Sequence, residues 1–340
     1  MAKIVINKKN YFHNLSQITN HIKDKSKIAV VIKDNAYGHG LIEISSLAKE
    51  FGINRAVVKN IKEAKIVDKY FDYIIILSSK NIDTYSHKFH ITINSKDDIY
   101  NVPKNSNIHI KIDTGMHRNG IDMNEIRDTI IKALKLKLNI TGIYTHHRSA
   151  DELSSEYFYQ KNYFKDTKIY IKKICEELFL SLPEFHSVNS SALFRTKNFD
   201  EDIARVGIAS YGYIETNRIF ELPNLKPVMS LYASKISSRK LDINQKIGYA
   251  GAFKAESKID VSTYDIGYGD GFFRIDETKN YKSEDGYRLL GRVSMDYTSF
   301  QTTKDEICIF KDARILAKLH NTITYEILTS LKENILREIK

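Results

Sequence analysis

Residues 28–40 read IAVVIKDNAYGHG. The first five are apolar and mostly β-branched, and polar residues and glycines follow them, which predicts a buried strand that ends just before Lys33. A lysine in this position is expected to enter a partly dry pocket, where its amine can serve as a nucleophile or a base. An ordinary solvated lysine at a strand end is the alternative.

Short apolar segments of this kind recur along the chain, and helix-like segments separate them. About eight alternations are what a (β/α)8 barrel requires, because parallel strands need a crossover helix between them. The pattern predicts an α/β protein with an N-terminal TIM-type barrel over residues 10–220, and a doubly wound open sheet is the alternative. The predicted strands are Ile28–Ile32, Ala56–Val58, Tyr73–Leu77, His90–Ile93, Ile108–Ile112, Ile140–Thr145, Glu184–Ser187 and Ala204–Ile208. The predicted helices include Leu41–Phe51, Ile61–Lys69, Asn124–Leu134 and Ser154–Leu180.

The pattern changes after about residue 222. Strand-like segments then follow one another with short turns, and no long amphipathic segment intervenes before the C-terminus. Residues 221–340 are therefore predicted to form a mainly β domain, with which a strand within residues 2–7 is expected to pair. The predicted strands of this domain are Val228–Ile236, Gly248–Phe253, Lys258–Ile266, Tyr287–Val293 and Ile307–Phe310.

The composition is that of a globular protein with a sizeable core. The chain has 340 residues and a hydrophobic fraction of 42%, which excludes a mainly disordered chain. Its formal net charge is +10, but lysine is scattered through every segment and is not concentrated in one stripe or tail. We therefore expect a solvated lysine-rich surface and no nucleic-acid partner.

The two cysteines, Cys175 and Cys308, lie far apart and have no ligand-like spacing, so no metal site and no redox motif are predicted. The first ten residues are polar, and no apolar run approaches the length of a membrane span. We expect no membrane segment, no export, and a location in a reducing cytoplasm.

Polar residues of catalytic type gather just after the ends of the predicted barrel strands. The carboxyl ends of all strands in such a barrel open onto one mouth, where active sites are built. Taken singly, each residue reads as an ordinary loop charge or a hydrogen-bonded histidine, but their repeated placement favours a shared pocket. These residues are Lys33, Arg118, His146, His186 and Asn189, and Arg205 sits within the eighth predicted strand.

Seven segments, in order along the chain, carry a family resemblance. They are Ala29–Gly40, Lys111–Gly120, Thr145–His146, His186–Ala192, Arg205–Ile208, Ile266–Gly271 and Gly291–Asp296. Together they resemble the alanine racemase family, enzymes of fold-type III that depend on pyridoxal 5'-phosphate. The resemblance covers nearly the whole chain and implies the barrel followed by a β domain that the pattern also predicts.

The resemblance implies a two-base racemisation of alanine. Lys33 matches the lysine that holds the cofactor and acts as one base, and Tyr268 matches the second base, which reaches the site from the partner subunit of a homodimer. Two bases are needed because a proton leaves one face of the α-carbon and returns to the other. The family interconverts L-alanine and D-alanine and so supplies D-alanine for peptidoglycan. Another small amino acid such as serine remains an alternative substrate.

The resemblance also implies how cofactor and substrate are held. Arg205 matches the arginine that faces the pyridine nitrogen, and Arg118 matches the arginine that binds the cofactor's phenolic oxygen and orients the substrate carboxylate. Met295 matches a partner-subunit residue that narrows the pocket, and Lys111 matches a lysine that is carbamylated in some members. The remaining residues implied to contact the cofactor or its surroundings are Tyr37, His146, Asn189, Ser190, Gly207 and Ile208.

Two features of the sequence limit the resemblance. Asp34 stands where the family commonly has a small residue, and His147–Arg148 follow His146 where an aromatic and a small residue are usual.

A related amino-acid decarboxylase would share the lysine, but its glycine-triplet phosphate loop is absent from this sequence. A non-catalytic pyridoxal-phosphate-binding protein of one domain would lack Tyr268 and Met295.

Overall fold

The computed structural model describes residues 1–196, 198–214, 222–276 and 278–340. Its earlier strands are β1 (Lys3–Ile6), β2 (Ile28–Val31), β3 (Arg55–Val58), β4 (Tyr73–Ile76), β5 (Phe89–Ile93), β6 (Asn107–Lys111), β7 (Asn139–Tyr144), β8 (Glu184–His186) and β9 (Ala204–Val206). The later strands are β10 (Met229–Leu241), β11 (Lys246–Ile247), β12 (Phe253–Lys254), β13 (Ile259–Tyr264), β14 (Thr298–Phe300), β15 (Glu306–Phe310) and β16 (Leu336–Ile339). The helices are α1 (Lys8–Ile22), α2 (Lys33–Tyr37), α3 (Leu41–Phe51), α4 (Ile61–Val67), α5 (Ile126–Lys135), α6 (Glu156–Glu177), α7 (Ser190–Leu193), α8 (Ala313–His320) and α9 (Thr324–Ser330).

Strands β2 to β9 form one sheet of eight parallel strands. Its order is β8-β7-β6-β5-β4-β3-β2-β9, so the neighbours follow the chain from β2 to β8 and β9 returns to pair with β2. A doubly wound sheet reverses its strand order at a switch point, whereas this sheet curls into a nearly closed barrel. The predicted (β/α)8 barrel is confirmed, and the open-sheet alternative is wrong.

The barrel strands are apolar because both of their faces are covered. Strands β2 and β5 are buried along their whole length, as parallel strands packed on both sides should be. The interior also contains polar groups. His109 on β6 contacts His186 on β8, two strands away, so both side chains point into the barrel.

Helix α2 is left-handed. Residues Asp34 to Tyr37 have φ angles between 51° and 54°, a conformation that costs L-residues about 1–2 kcal/mol each. Side chains stabilise both ends of the turn. The amide of Asp34 donates to Glu63 Oε1 at 2.8 Å, and the amide of Leu41 donates to Asn35 Oδ1 at 2.7 Å. Strand β2 is therefore followed, from Lys33 onward, by a strained and well-anchored corner that the sequence pattern did not predict.

The chain divides into two compact units that are discontinuous in sequence. Unit 1 comprises Met1–Tyr11, Asn35–Glu43 and Pro227–Lys340, and unit 2 comprises Phe12–Asp34 and Ile44–Lys226. The predicted boundary between residues 220 and 221 falls within residues 215–221, which lie outside the described residues, and it stays a prediction. Within the described ranges, no helix combines the length and apolar composition that crossing a bilayer requires.

Unit 1 contains a six-stranded sheet built around β10. Strand β1 pairs antiparallel with β10 and parallel with β16, and β10 also pairs with β13 and β15. Residues 3–6 are therefore joined to the later strands by backbone hydrogen bonds, although more than 200 residues separate β1 from β10. This sheet confirms the mainly β character of the second part of the chain.

Two predicted strands of this part are wrong. Residues 248–253 turn between β11 and β12, because Gly248 and Ala250 adopt positive φ angles of 77° and 58°. Residues 287–293 form only isolated bridges, and glycines with positive φ, Gly286 and Gly291, stand at or near each end. Both segments contain aromatic or aliphatic residues that suggest a strand, but the backbone at the glycines does not continue a ladder.

The packing around Gly38 generates a stability prediction. Gly38 has a φ of 79°, and a Cβ atom there would lie 2.0 Å from the carbonyl oxygen of Leu328. Gly38→Ala should therefore lower the free energy of unfolding by about 2–4 kcal/mol, because both the backbone angle and the contact are unfavourable. Thermal melting followed by circular dichroism measures the change.

Gly286→Ala is the matched control. Gly286 has a similar φ of 86°, but no described atom lies within 4 Å of the position that a Cβ atom would take there. It should lose only the backbone contribution of about 1–2 kcal/mol. Equal losses in the two variants would show that the close approach to Leu328 is unimportant.

Candidate active site

Four cations gather at the carboxyl ends of the barrel strands. Lys33 follows β2, Lys111 ends β6, Arg118 lies in the loop after β6, and Arg205 is on β9. Burial, and then the charges of Arg118 and Arg205, lower the pKa of Lys111 to about 8, while Asp113 opposes this change. The charge of Lys33 also lowers the pKa of Lys111, but by less than the charges of Arg118 and Arg205 do. The mouth of the barrel is thus a region of concentrated positive charge that suits anionic groups.

The loop that carries Arg118 is shaped by Asp113. One carboxylate oxygen of Asp113 accepts hydrogen bonds from the backbone amides of residues 115–117 at 2.9, 3.0 and 3.1 Å. Gly120 closes the loop with a φ of 134°, and a Cβ atom there would lie 2.6 Å from the Asp113 nitrogen. Only glycine therefore fits at position 120, and the loop places the exposed side chain of Arg118 beside the mouth.

Lys111 is held by an amide in the same loop. Its Nζ donates a hydrogen bond to Asn119 Oδ1, and Asn119 Nδ2 donates in turn to Asn94 Oδ1 at 2.7 Å. The ammonium group is buried, so this contact offsets part of its desolvation. Asn119 belongs to a segment that carries the family resemblance, but it was not predicted as a site residue.

Arg205 is buried and donates to groups at the carboxyl ends of β7 and β8. Its Nη2 donates to the carbonyl oxygen of Thr145 at 2.8 Å, and its Nη1 donates to His186 Nδ1 at 2.5 Å. The guanidinium also lies 4.8 Å from the ring centroid of Tyr144. Because an arginine only donates, His186 Nδ1 must accept and the imidazole is neutral. Burial and the charge of Arg205 lower the pKa of His186 in agreement with this assignment.

His146 follows β7 and is also neutral. Burial lowers its pKa well below the usual value, and the charges of Arg205 and Arg118 act in the same direction. Its carbonyl oxygen accepts a hydrogen bond from Gln160 Nε2 at 3.4 Å. His146 can therefore contribute a neutral ring that donates or accepts a hydrogen bond, without adding a charge to the mouth.

Ser190 forms a small cradle with the turn after β9. Its Oγ accepts hydrogen bonds from the amide of Gly207 at 3.1 Å and from the amide of Ala209 at 3.3 Å. The preceding residue, Asn189, caps α7 by accepting from the amide of Ala192 at 2.9 Å. Backbone donors and a hydroxyl thus converge at this strand end. Ala209, whose amide follows the predicted pair Gly207 and Ile208, was not predicted from the sequence.

Tyr268 and Met295 lie together on the surface of unit 1. Tyr268 begins a 3-10 turn, and the amide of Gly269 donates to the carbonyl oxygen of Met295 at 2.7 Å. A Cβ atom at Gly267 would lie only 2.1 Å from the same oxygen, so glycine lets the two segments approach. Tyr268 is 41% exposed and Met295 is 54% exposed. Both side chains therefore lie at the surface of this unit.

The remaining predicted residue is Tyr37, at the end of the left-handed helix α2. Its ring packs 5.7 Å, between centroids, from the ring of Tyr325. Asp34, at the start of α2, forms an ion pair with Lys59 at 2.5 Å. The departure from a small residue at position 34 is accommodated by this exposed partner.

The fold and the site define an enzyme composed of a (β/α)8 barrel with a lysine at its mouth and a mainly β second part. The family model for the alanine racemase N-terminal domain matches residues 6–215, and that for the alanine racemase C-terminal domain matches residues 228–339. The chain belongs to the alanine racemase family and is accordingly an isomerase.

Relatives support this assignment over the whole chain. An alanine racemase of Nitratiruptor sp. is 42% identical over 338 residues, and one of Campylobacter jejuni is 40% identical over 337 residues, each covering 99% of both sequences. The solved alanine racemase of Clostridium difficile superposes with a TM-score of 0.89 at 27% identity and covers 100% of this chain and 95% of that one.

The lowered pKa of Lys111 can be tested directly. Arg118→Gln removes the largest of the charges that depress it, so the pKa should rise from about 8 toward its ordinary value of 10.5. Burial is the first cause and remains, so the rise is only partial. The pH dependence of Lys111 acetylation, followed by mass spectrometry of the digested protein, gives the pKa.

Arg148→Gln is the control for this measurement. Arg148 donates to the carbonyl oxygen of Gly115 in the same loop, but its charge is not among those that act on Lys111. The same Lys111 pKa in the Arg118 and Arg148 variants would contradict the assigned electrostatic cause.

Proposed function

We propose that the chain interconverts L-alanine and D-alanine with pyridoxal phosphate as its cofactor and Lys33 and Tyr268 as the two bases. The observation that carries this proposal is the placement of Lys33 at the end of a buried barrel strand, beside the cations Lys111, Arg118 and Arg205. An amine for the cofactor and positive charges for phosphate and carboxylate groups then occur in one place. Family membership supports the same activity.

The residues present fit the phosphate of this cofactor. The hydroxyl of Ser190 and the amide of Ile208 are proposed as donors at the carboxyl end of the barrel, where phosphates usually bind, and the amide of Gly207 would join them by exchanging its hydrogen bond to Ser190 Oγ for one to the phosphate. The hydroxyl of Tyr37 is proposed to add another donor. Asn189 maintains this arrangement by capping α7 rather than by supplying charge.

Arg205 is proposed to face the pyridine nitrogen. Its guanidinium keeps its proton even when buried, and a second positive charge beside it would be costly. Arg205 therefore favours an unprotonated pyridine. Bound pyridoxal phosphate would supply an electron sink for the electron pair that proton removal leaves on the substrate's α-carbon. Because an unprotonated pyridine is a weaker sink, Arg205 would shorten the time in which side reactions can occur.

Lys33 and Tyr268 are proposed to move the proton. In the L to D direction, the Tyr268 oxygen takes the α-proton from one face and the Lys33 amine returns a proton to the opposite face; the reverse direction exchanges these roles. His146, as a neutral ring, and Arg205 provide the polar surroundings that the tyrosine needs to act as a base. In this direction Tyr268 gains one proton and Lys33 loses one, so the reaction consumes no net proton. The two side chains end the turnover with their protonation states exchanged.

Substrate recognition is assigned to Arg118 and Met295. The exposed guanidinium of Arg118 can bind the substrate carboxylate, and the side chain of Met295 from the partner subunit would exclude large side chains. Lys111 is proposed as a carbamylation site, because an amine with a pKa of about 8 is partly neutral near that pH and carbon dioxide reacts only with the neutral form. The resulting negative charge would position Arg118.

The assembly and cellular role follow from the same proposal. Tyr268 and Met295 are exposed on unit 1, which supports a homodimer in which each subunit completes the site of the other. The expected location is the cytoplasm, where D-alanine would be produced for peptidoglycan. Neither a nucleic-acid nor a membrane partner is proposed.

Formation of the opposite isomer tests the substrate assignment. The protein saturated with pyridoxal phosphate is incubated with L-alanine or with L-serine, and the D-isomers are separated by chiral chromatography. D-alanine should form much faster than D-serine, and Lys33→Ala should abolish both reactions by removing the amine that holds the cofactor. Faster racemisation of serine would overturn the choice of alanine.

Mixing two inactive variants tests the shared site. Lys33→Ala and Tyr268→Phe each disable both sites of a homodimer, but a mixed dimer has one site with both native residues. Random exchange should restore about one quarter of the wild-type activity, since half of the dimers are mixed and half of their sites are intact. Activity that stays at the level of the unmixed variants would indicate that Lys33 and Tyr268 of one site come from the same subunit.

A further inference from the structure

A continuous chain of hydrogen bonds crosses the interior of the barrel from Arg205. It connects side chains on five strands, β9, β8, β6, β4 and β3, and ends near the opposite end of the barrel, at the first residues of β3 and β8. The successive contacts are Arg205 Nη1 to His186 Nδ1 at 2.5 Å, His186 Nε2 to His109 Nδ1 at 2.9 Å, His109 Nε2 to the Tyr73 hydroxyl at 2.8 Å, the Tyr73 hydroxyl to Glu184 Oε2 at 2.6 Å, and Arg55 Nη1 to Glu184 Oε1 at 2.7 Å.

The two ends of this chain determine the direction of each hydrogen bond. Arg205 can only donate, so His186 accepts at Nδ1 and carries its proton at Nε2. His109 then accepts at Nδ1 and donates from Nε2 to the oxygen of Tyr73. The Tyr73 hydroxyl donates to Glu184, which can only accept as a carboxylate. The arginine and the carboxylate therefore require the same tautomer of both histidines.

Burial keeps both histidines neutral, as this arrangement needs. The pKa values of His109 and His186 lie well below the ordinary value, first because of burial. The next largest effects come from His90 and Arg205 on His109, and from Arg205 and His109 on His186. Neither imidazole has a measurable exposed surface. The chain of hydrogen bonds is therefore shielded from water at its two histidines, and its partly exposed members are Tyr73, Glu184 and Arg55.

Packing fixes the rings in this chain. Gly142 on β7 faces His109, and a Cβ atom there would lie 2.4 Å from the His109 ring. The Tyr73 ring stacks on His90 with centroids 3.5 Å apart, and the His186 ring stacks on Tyr144 at 4.7 Å. These contacts restrict how each ring can tilt, and a side chain at residue 142 would occupy the space that the His109 ring fills.

We propose that His109, Tyr73 and Glu184 are positioning residues for Arg205, which they hold through His186. A carboxylate at the end of a chain of hydrogen bonds makes each acceptor along the chain stronger, as it does for a metal-bound histidine. Glu184 thereby strengthens the Nδ1 acceptor of His186 and fixes the guanidinium of Arg205 at the mouth. This inference rests on the proposed function only for its consequence, which is the control that Arg205 exerts over the pyridine nitrogen.

Removing the Tyr73 hydroxyl should change the environment of His186, which is the second residue beyond Tyr73 in the chain of hydrogen bonds. In Tyr73→Phe the His109 Nε2–H loses its acceptor, so the ring can turn and release His186. The imidazole N–H protons of His109 and His186 are observed by NMR in histidine-labelled full-length protein, before and after saturation with pyridoxal phosphate. Two downfield, slowly exchanging N–H signals are expected in the wild-type protein, and Tyr73→Phe should shift both upfield and speed their exchange.

Tyr144→Phe is the matched control. It removes a buried hydroxyl of the same kind, and Tyr144 stacks on His186 without belonging to the chain. It should leave both N–H signals nearly unchanged. Glu184→Gln keeps the side-chain shape and removes the charge at a partly exposed position, so it should fold and shift the His109 signal less than Tyr73→Phe does. An unchanged His186 signal in Tyr73→Phe overturns the proposal.

The partition between racemisation and transamination provides a second readout. Loss of one hydrogen bond to a charged group typically changes a rate or an equilibrium about tenfold, so Tyr73→Phe should raise transamination relative to racemisation by about that factor. An unchanged partition together with shifted N–H signals would overturn the link to Arg205 while leaving the proposed racemase intact. Wild-type protein that shows the N–H signals but no racemisation would instead overturn the proposed function.

Discussion

The hydrogen bonds of the buried Arg205 guanidinium are the interactions on which the site depends. Strands β8 and β9 are the two edges of the barrel sheet, and Arg205 connects them by donating to the carbonyl oxygen of His186 while its own amide donates to that of Val188. Burying this charge is tolerable only because its donors find fixed acceptors. The same hydrogen bonds that close the barrel therefore hold a permanent positive charge at its mouth.

Neutral histidines around this charge follow from the same constraint. His186 and His109 are buried and His146 is partly buried, all of them near positive groups, which lowers their pKa values and leaves the cations of the mouth without further positive neighbours. Positive charge is thus confined to groups that can meet anions, and the imidazoles act only through hydrogen bonds. The electrostatic character of the site is set by which buried groups stay uncharged.

The sequence was sufficient to predict the barrel, because its apolar strands and connecting helices have clear periodicity and their ends carry polar residues. It also placed Lys33 just after the first barrel strand, where it follows β2. It could not show that His109 and Tyr73 point inward, since a single polar residue in an apolar strand does not reveal which face it occupies. The strands predicted at residues 248–253 and 287–293 are wrong, because glycines with positive φ angles interrupt the backbone there. Side-chain hydrogen bonds between distant strands have no local signal.

The left-handed corner at α2 limits which sequences can carry the lysine. Asp34 and Asn35 are short polar residues, a type that tolerates positive φ better than most, whereas β-branched side chains at these positions would clash with their own backbone. Position 34 can therefore differ among relatives in charge or size far more readily than in branching at Cβ. Backbone geometry therefore restricts the substitutions possible directly after Lys33, whatever the chemistry of that residue.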